Sequence, residues 1–349
     1  MHMLQELDHL PADLLGADSR DLHRLLGAPT LIHLSGTRQP PLFVSVLLHG
    51  NETVGWDALR ALLTERIARF GEPHLPRALS LFIGNVAAAA SGARHLPQQP
   101  DYNRVWPGGD HPHTPEHEVM AAVVDAMTRR GVFASIDLHN NTGANPRYAC
   151  VDRLDHRSLH LATLFGRTVV YFTRPIGTQS AAFADLGPAV TLECGKVGEA
   201  TGVAHARTLV DAALHLLEVP NHAVAAHDID LFHSVAQVMV PPELRIGLPP
   251  TDAELVLNPE IEHFNFRELP RGTPFASLRT GDHGLGFVVL DENGNDVAKR
   301  FFQLEDGEIK LRRPVMPSML TRDLTVIRQD CLGYLMERYN DHVPRRGTD

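Results

Sequence analysis

Between residues 42 and 218, short apolar runs alternate with segments of helical spacing, and no other feature constrains the fold as tightly. LFVSVLLH (42–49) is nearly continuous in apolar, branched side chains. Such a run reads as a strand buried on both faces, the habit of strands inside parallel sheets. Residues 53–70 then show helical spacing, with Trp56, Leu59, Leu62, Leu63 and Ile67 on one side. ALSLFIGN (78–85) predicts the next strand. Thr114-Pro115-Glu116 predicts a helix start: a capping hydroxyl, a proline in the first turn, and an acid near the positive end. That helix is expected to run to Arg130 and stop at Gly131. Further strands are expected at 133–138, 168–173 and 189–192, and a long helix at 203–218.

This alternation predicts an α/β fold, a mixed, mainly parallel sheet flanked by helices. In such sheets the chemistry collects beyond the carboxyl ends of the strands. The texture changes near Pro220. Turn signals multiply at Pro249-Pro250, Asn258-Pro259, Arg271-Gly272 and Asn293-Gly294. Segments 284–290 and 297–304 around Asn293-Gly294 read as a hairpin. The expected organisation is a catalytic α/β domain over 1–222 and a smaller β-rich domain over 223–349.

Charge narrows the partners. The net charge is −10, from 42 acidic against 32 basic side chains, with no Lys/Arg cluster. Nucleic acid is therefore not expected as a partner, since phosphates need a basic surface. No apolar stretch reaches the length of a membrane span. The first twenty residues place acids among their apolar positions, so no signal peptide is expected. Three widely spaced cysteines (Cys150, Cys194 and Cys331) do not make a disulfide scaffold and fit a reducing cytoplasm.

The 21 histidines count for little by abundance, so their placement decides. His49-Gly50-Asn51-Glu52 sits where an apolar strand gives way to a helix. An imidazole and a carboxylate three residues apart across such a turn can point at one ion, and Zn²⁺ accepts that donor set. Taken alone, Glu52 could simply stabilise the helix start. A second strand, SIDLHN (135–140), ends on His139. By itself His139 could be an ordinary hydrogen-bonded loop histidine. Two strand ends of one sheet can converge, however, and His49, Glu52 and His139 then make a three-ligand open metal site. Glu193 ends a third strand in TLECG (191–195). A carboxylate there can move a proton between water and a leaving amine, or serve only in a cap or ion pair. Arg94, Asn103 and Arg104 follow the strand ending at Asn85 and can grip a carboxylate or polarise a carbonyl, or the arginines can be ordinary surface residues of a loop. HPHTPEHE (111–118) reads as a solvated loop entering a helix, and Cys194 as a small buried residue.

The ordered set HGNE (49–52), NVAAAASGAR…DYNR (85–104), DLHNNTG (137–143) and TLECG (191–195) resembles the succinylglutamate desuccinylase/aspartoacylase family, a branch of the carboxypeptidase A-like zinc metallohydrolases. The resemblance covers roughly residues 40–215. It implies a zinc carboxypeptidase-like fold, one Zn²⁺ per chain, and hydrolysis of a small N-acyl amino acid. It assigns His49, Glu52 and His139 to the metal and Glu193 to activation of the metal's water. It further assigns Arg94 to the oxyanion, and Asn103 with Arg104 to the α-carboxylate. A carboxypeptidase acting on short peptides is the alternative. Aspartoacylases place an Arg before the catalytic Glu to hold the acyl carboxylate, but residues 176–189 contain none. Arg174 or Arg147 could replace it, and the acyl group stays open. The oligomeric state is also open.

Overall fold

The computed structural model describes residues 4–279 and 284–339; residues 1–3, 280–283 and 340–349, at the edges of the two expected domains and within the second, lie outside it. In chain order the strands are β1 (Gln5–Leu7), β2 (Thr30–Leu34), β3 (Leu42–Val46), β4 (Leu79–Ile83), β5 (Ala134–His139), β6 (Tyr148–Val151), β7 (Thr168–Tyr171), β8 (Ala189–Glu193) and β9 (Asp230–Met239). There follow β10 (Ile246–Gly247), β11 (Leu255–Leu257), β12 (Pro274–Leu278), β13 (Val288–Leu290), β14 (Phe302–Glu305), β15 (Glu308–Leu311), β16 (Met316–Ser318) and β17 (Gly333–Arg338).

Eleven strands form a sheet in the order β1-β2-β4-β3-β5-β8-β6-β7-β9-β17-β16, and β13 branches from β9 as the twelfth. The centre is parallel: β4, β3, β5 and β8 run side by side in one direction. Antiparallel pairs, β2 with β4 and β6 with β8, make the sheet mixed. The mixed, mainly parallel sheet flanked by helices is therefore present as expected. A second sheet of five strands, β10-β11-β12-β15-β14, occupies the C-terminal part.

The central strands are buried at every residue, which is why their sequences lack polar alternation. One apolar cluster packs helices Val54–Phe70 and Ala200–His215 against the sheet. Another packs helix Pro115–Arg130 together with Phe43, Trp106 and Phe183. A separate cluster runs from Ala236 to Leu335. These distinct cores support the division near residue 222, which we propose, although β9, β13, β16 and β17 join the large sheet from beyond it.

Two expectations are adjusted. The helix expected at 203–218 spans Ala200–His215. The carbonyls left free at its end are taken by cations: Arg38 donates to Leu214 and His215, and Arg77 to Leu216 and Leu217 just beyond. The hairpin about Asn293-Gly294 forms only at its tip, where Val297 N–H reaches the Val289 carbonyl at 2.7 Å. Asp296 Oδ1 accepts from both Val289 and Ala298 N–H, which turns the chain into the short helix Ala298–Phe301. β13 then pairs with β9, and β14 with β15. Thr114 caps its helix with Glu116 in the first turn as expected, and His117 completes the cap, its Nδ1 accepting from Thr114 N–H at 3.0 Å.

The C-terminal part docks onto the loop after β5. Asn145 Oδ1 accepts from Met319 N–H at 2.9 Å. A methyl added at Gly143 would lie 2.0 Å from the Leu320 carbonyl oxygen. Gly143→Ala is expected to lower stability by about 1–3 kcal/mol, the usual cost of overpacking, read from urea unfolding. An unchanged midpoint would show that this contact yields freely.

Candidate metal and amide-hydrolysis site

The site lies at the carboxyl ends of β3, β5 and β8. Register sets the three ends level: Val46 pairs with Leu138, and His139 with Glu193. After β3, Leu47 adopts φ 56°, rare for a side chain with a Cβ. This turn carries the chain to His49, and Glu52 N–H closes back on the His49 carbonyl at 3.1 Å. Gly50 is required between them, because a Cβ there would meet the Ala89 nitrogen at 2.2 Å.

Glu52 stands between two imidazoles. Its Oε1 is 2.9 Å from His49 Nδ1 and its Oε2 is 2.8 Å from His139 Nδ1. One donor atom from each of the three residues lies within 4.8 Å of the others. All three are buried. The far nitrogens are held by carboxylates: His49 Nε2 by Asp101 at 2.9 Å and His139 Nε2 by Asp137 at 2.7 Å. Such partners fix the ring orientation and strengthen Nδ1 as a donor. Asp137 is itself anchored by the Ser45 hydroxyl at 2.7 Å.

Charge at this point asks for a cation. Burial opposes protonation of both imidazoles, yet the carboxylates beside them, after that penalty, raise both above the usual histidine value. Burial alone would raise the Glu52 carboxyl, but His49 and His139 hold it well below the usual carboxylate range. Two nitrogens and a carboxylate with a free approach fit Zn²⁺. The residues present therefore suit the expected metal.

Glu193 adjoins them. Burial pushes its carboxyl up to about 7, with Glu52 adding to the rise while His139 opposes it. Its Oε2 has no hydrogen-bond partner. The Tyr148 hydroxyl is also buried and unpartnered. Both line a cavity of about 110 Å³ that also holds His49, Glu52, His139 and Arg94. Residues of the C-terminal part, Ser318, Met319, Val326 and Tyr334, close one side of it.

Arg94 lies in the same buried group. Its Nη1 is 3.5 Å from Glu52 Oε1, and it pairs with Asp101 at 2.9 Å. Asn103 lies 3.4 Å from His139 Nε2 through its Nδ2, and its Oδ1 accepts from Gln179 N–H. Arg104 pairs with Asp330 at 2.9 Å. The seven residues singled out in the sequence thus gather around one cavity. Arg174 lines that cavity and Arg147 is absent from its lining. Cys194 is fully buried and donates to the Leu192 carbonyl, as a packing residue does.

Sequence reasoning missed Asp101 and Asp137 as imidazole partners, and Tyr148 and Asp330 altogether. Asp137 carried a signal: two residues before His139 on one strand, it shares that face. Asp330 carried none, being 226 residues from Arg104.

The sequence matches the family profile described as the succinylglutamate desuccinylase/aspartoacylase catalytic domain over residues 38–219. No curated protein matches it by sequence. The fold is similar to that of murine aminoacylase 3, with a TM-score of 0.57 at 19% identity over 87% of this chain and 97% of that one. It is similar to a succinylglutamate desuccinylase/aspartoacylase from Rhodobacter sphaeroides, with a TM-score of 0.56 at 18% identity over 88% of each chain. The succinylglutamate desuccinylase from Chromobacterium violaceum gives a TM-score of 0.55 at 18% identity, over 89% of this chain and 86% of that one. With its profile match spanning the sheet ends that carry His49, Glu52, His139 and Glu193, this chain belongs to the succinylglutamate desuccinylase/aspartoacylase family.

Proposed function

We propose that this protein is a zinc-dependent deacylase that hydrolyses the amide bond of a small N-acyl amino acid. One observation carries the reading: a His49–Glu52–His139 donor set stands beside a partnerless, buried Glu193 in a single cavity. Family membership supports the reaction class.

His49, Glu52 and His139 would hold the ion. Zn²⁺ bound there supplies a Lewis acid that polarises the amide carbonyl and lowers the pKa of water toward neutrality. Asp101 and Asp137 keep the two rings oriented. Glu193 takes a proton from the attacking water and passes it to the departing nitrogen. A carboxyl near 7 suits both transfers at neutral pH. Arg94, pressed against Glu52, offers positive charge to the oxygen that becomes anionic. Asn103 and Arg104 are the proposed grip on the amino-acid half, and Arg174, which lines the cavity and donates through Nε to the Glu292 carbonyl, is the cation proposed for an acyl carboxylate.

Cleavage of short peptides, the other reading, needs an open groove. Residues 318–334 stand over the cavity instead, which supports a small substrate. Among the described residues no helix is long and apolar enough to cross a membrane, and all three cysteines are free and buried. The cysteines support a cytoplasmic setting, which we propose with the activity.

Three measurements test this. A panel of N-succinyl, N-acetyl and N-formyl amino acids with short peptides, offered to the zinc-loaded protein, should show turnover confined to the acyl amino acids; preference for peptides would reverse the ranking. Glu193→Gln is expected to keep its zinc and lose about 10²–10⁴-fold in kcat, and an undiminished rate would remove Glu193 from the mechanism. His139→Ala should fall below one zinc per chain in metal analysis, whereas stoichiometric zinc would break the ligand assignment.

A further inference from the structure

Arg104, proposed for the substrate's α-carboxylate, and Arg94, proposed for the oxyanion, form a fork that already holds a carboxylate of the chain itself. Asp330 follows helix Leu324–Gln329 in the C-terminal part, and its backbone N–H is tied to the Val326 carbonyl at 2.9 Å. Its Oδ1 accepts from Arg104 Nη2 at 2.9 Å and its Oδ2 from Arg94 Nη2 at 3.1 Å. One planar carboxylate thus bridges two guanidiniums, the geometry by which arginines recognise carboxylates. Other partners are taken as well: Arg104 Nη1 donates to the Asn103 carbonyl, and Arg94 donates to Asp101 through Nε and Nη2. Two cations, Arg94 and Arg104, therefore face Asp101, Asp330 and, 3.5 Å from Arg94, Glu52, so the anions at the fork are no fewer than the cations. All five groups are largely buried.

We infer that Asp330 is a specificity-determining residue, an internal competitor that occupies the carboxylate subsite. An incoming α-carboxylate must displace it or add a further negative charge beside it, whereas an uncharged carboxamide adds no such charge. Asp330 thereby holds down affinity for free N-acyl α-amino acids relative to their amides. This inference rests on the deacylase reading for its substrate, but its physical content is a binding preference that can be read without turnover.

The test uses the zinc-loaded full chain with N-acetyl amino acids and their matching carboxamides. Calorimetric binding is measured in the Glu193→Gln background, and KM and kcat in the chain with Glu193 intact. In the unsubstituted Asp330 protein the amide of each pair should bind at least as well as the acid. An acid preferred by more than tenfold overturns the proposal without any variant at this position. Asp330→Asn should raise the acid-to-amide affinity ratio by roughly tenfold or more, read in calorimetry and in the acid-to-amide ratio of KM. Asp330→Glu, which keeps the charge, should stay near the starting ratio. If Asp330 only orients the two arginines, Asp330→Asn weakens acid and amide alike and lowers kcat. That outcome, or no gain in acid binding across the panel, overturns the inference. Failure of the deacylase reading appears separately, as no hydrolysis of any acyl amino acid by the unsubstituted chain, while a calorimetric gain for acids in Asp330→Asn still supports the competitor.

Discussion

The parallel pairing of β5 with β3 on one side and β8 on the other is the constraint on which the site depends. It brings residues separated by almost 150 positions to one level at one edge of the sheet. His139 and Glu193 face each other directly in register. A slip of one residue in either pair would turn the site-facing side chains to the opposite face, because side chains alternate along a strand. The buried hydrogen bond from the Ser45 hydroxyl to Asp137, between residues paired across β3 and β5, is specific to that register.

Electrostatics finishes what the register begins. Five carboxylates (Glu52, Asp101, Asp137, Glu193 and Asp330) crowd around two imidazoles and two guanidiniums. Buried charges persist only when paired, and nearly every oxygen here has a named partner. Glu193 is the exception, with Oε2 left free. Burial pushes the Glu193 carboxyl up to about 7, and Oε2 has no hydrogen-bond partner to offset that rise.

Much of this was legible in the sequence, and the reasons differ by residue. His49, Glu52 and His139 could be found because short apolar runs locate strand ends, and strand ends locate the crevice. The helices at 54–70 and 115–130 followed from periodicity and capping residues. The failed hairpin shows the limit of local signals. Asn293-Gly294 did make its turn, but Asp296 offered hydrogen bonds that a dipeptide rule does not weigh. Asp330 was beyond reach for a different reason. Its meaning comes only from arginines more than 200 positions earlier, and no period or motif connects them.

That separation has a consequence for how the molecule comes into being. Arg94 and Asp330 are 236 residues apart in a chain of 349, so the contact between them closes about two thirds of the chain into a loop. Loop-closure entropy must be met before such a contact gives anything back. During synthesis the amino-terminal sheet can order first, with its ligands and arginines in place. The fork then stands open until residues 324–338 emerge and dock. The segment that neutralises the arginines and walls the cavity is made after both of them, so the finished site cannot form until that segment has docked.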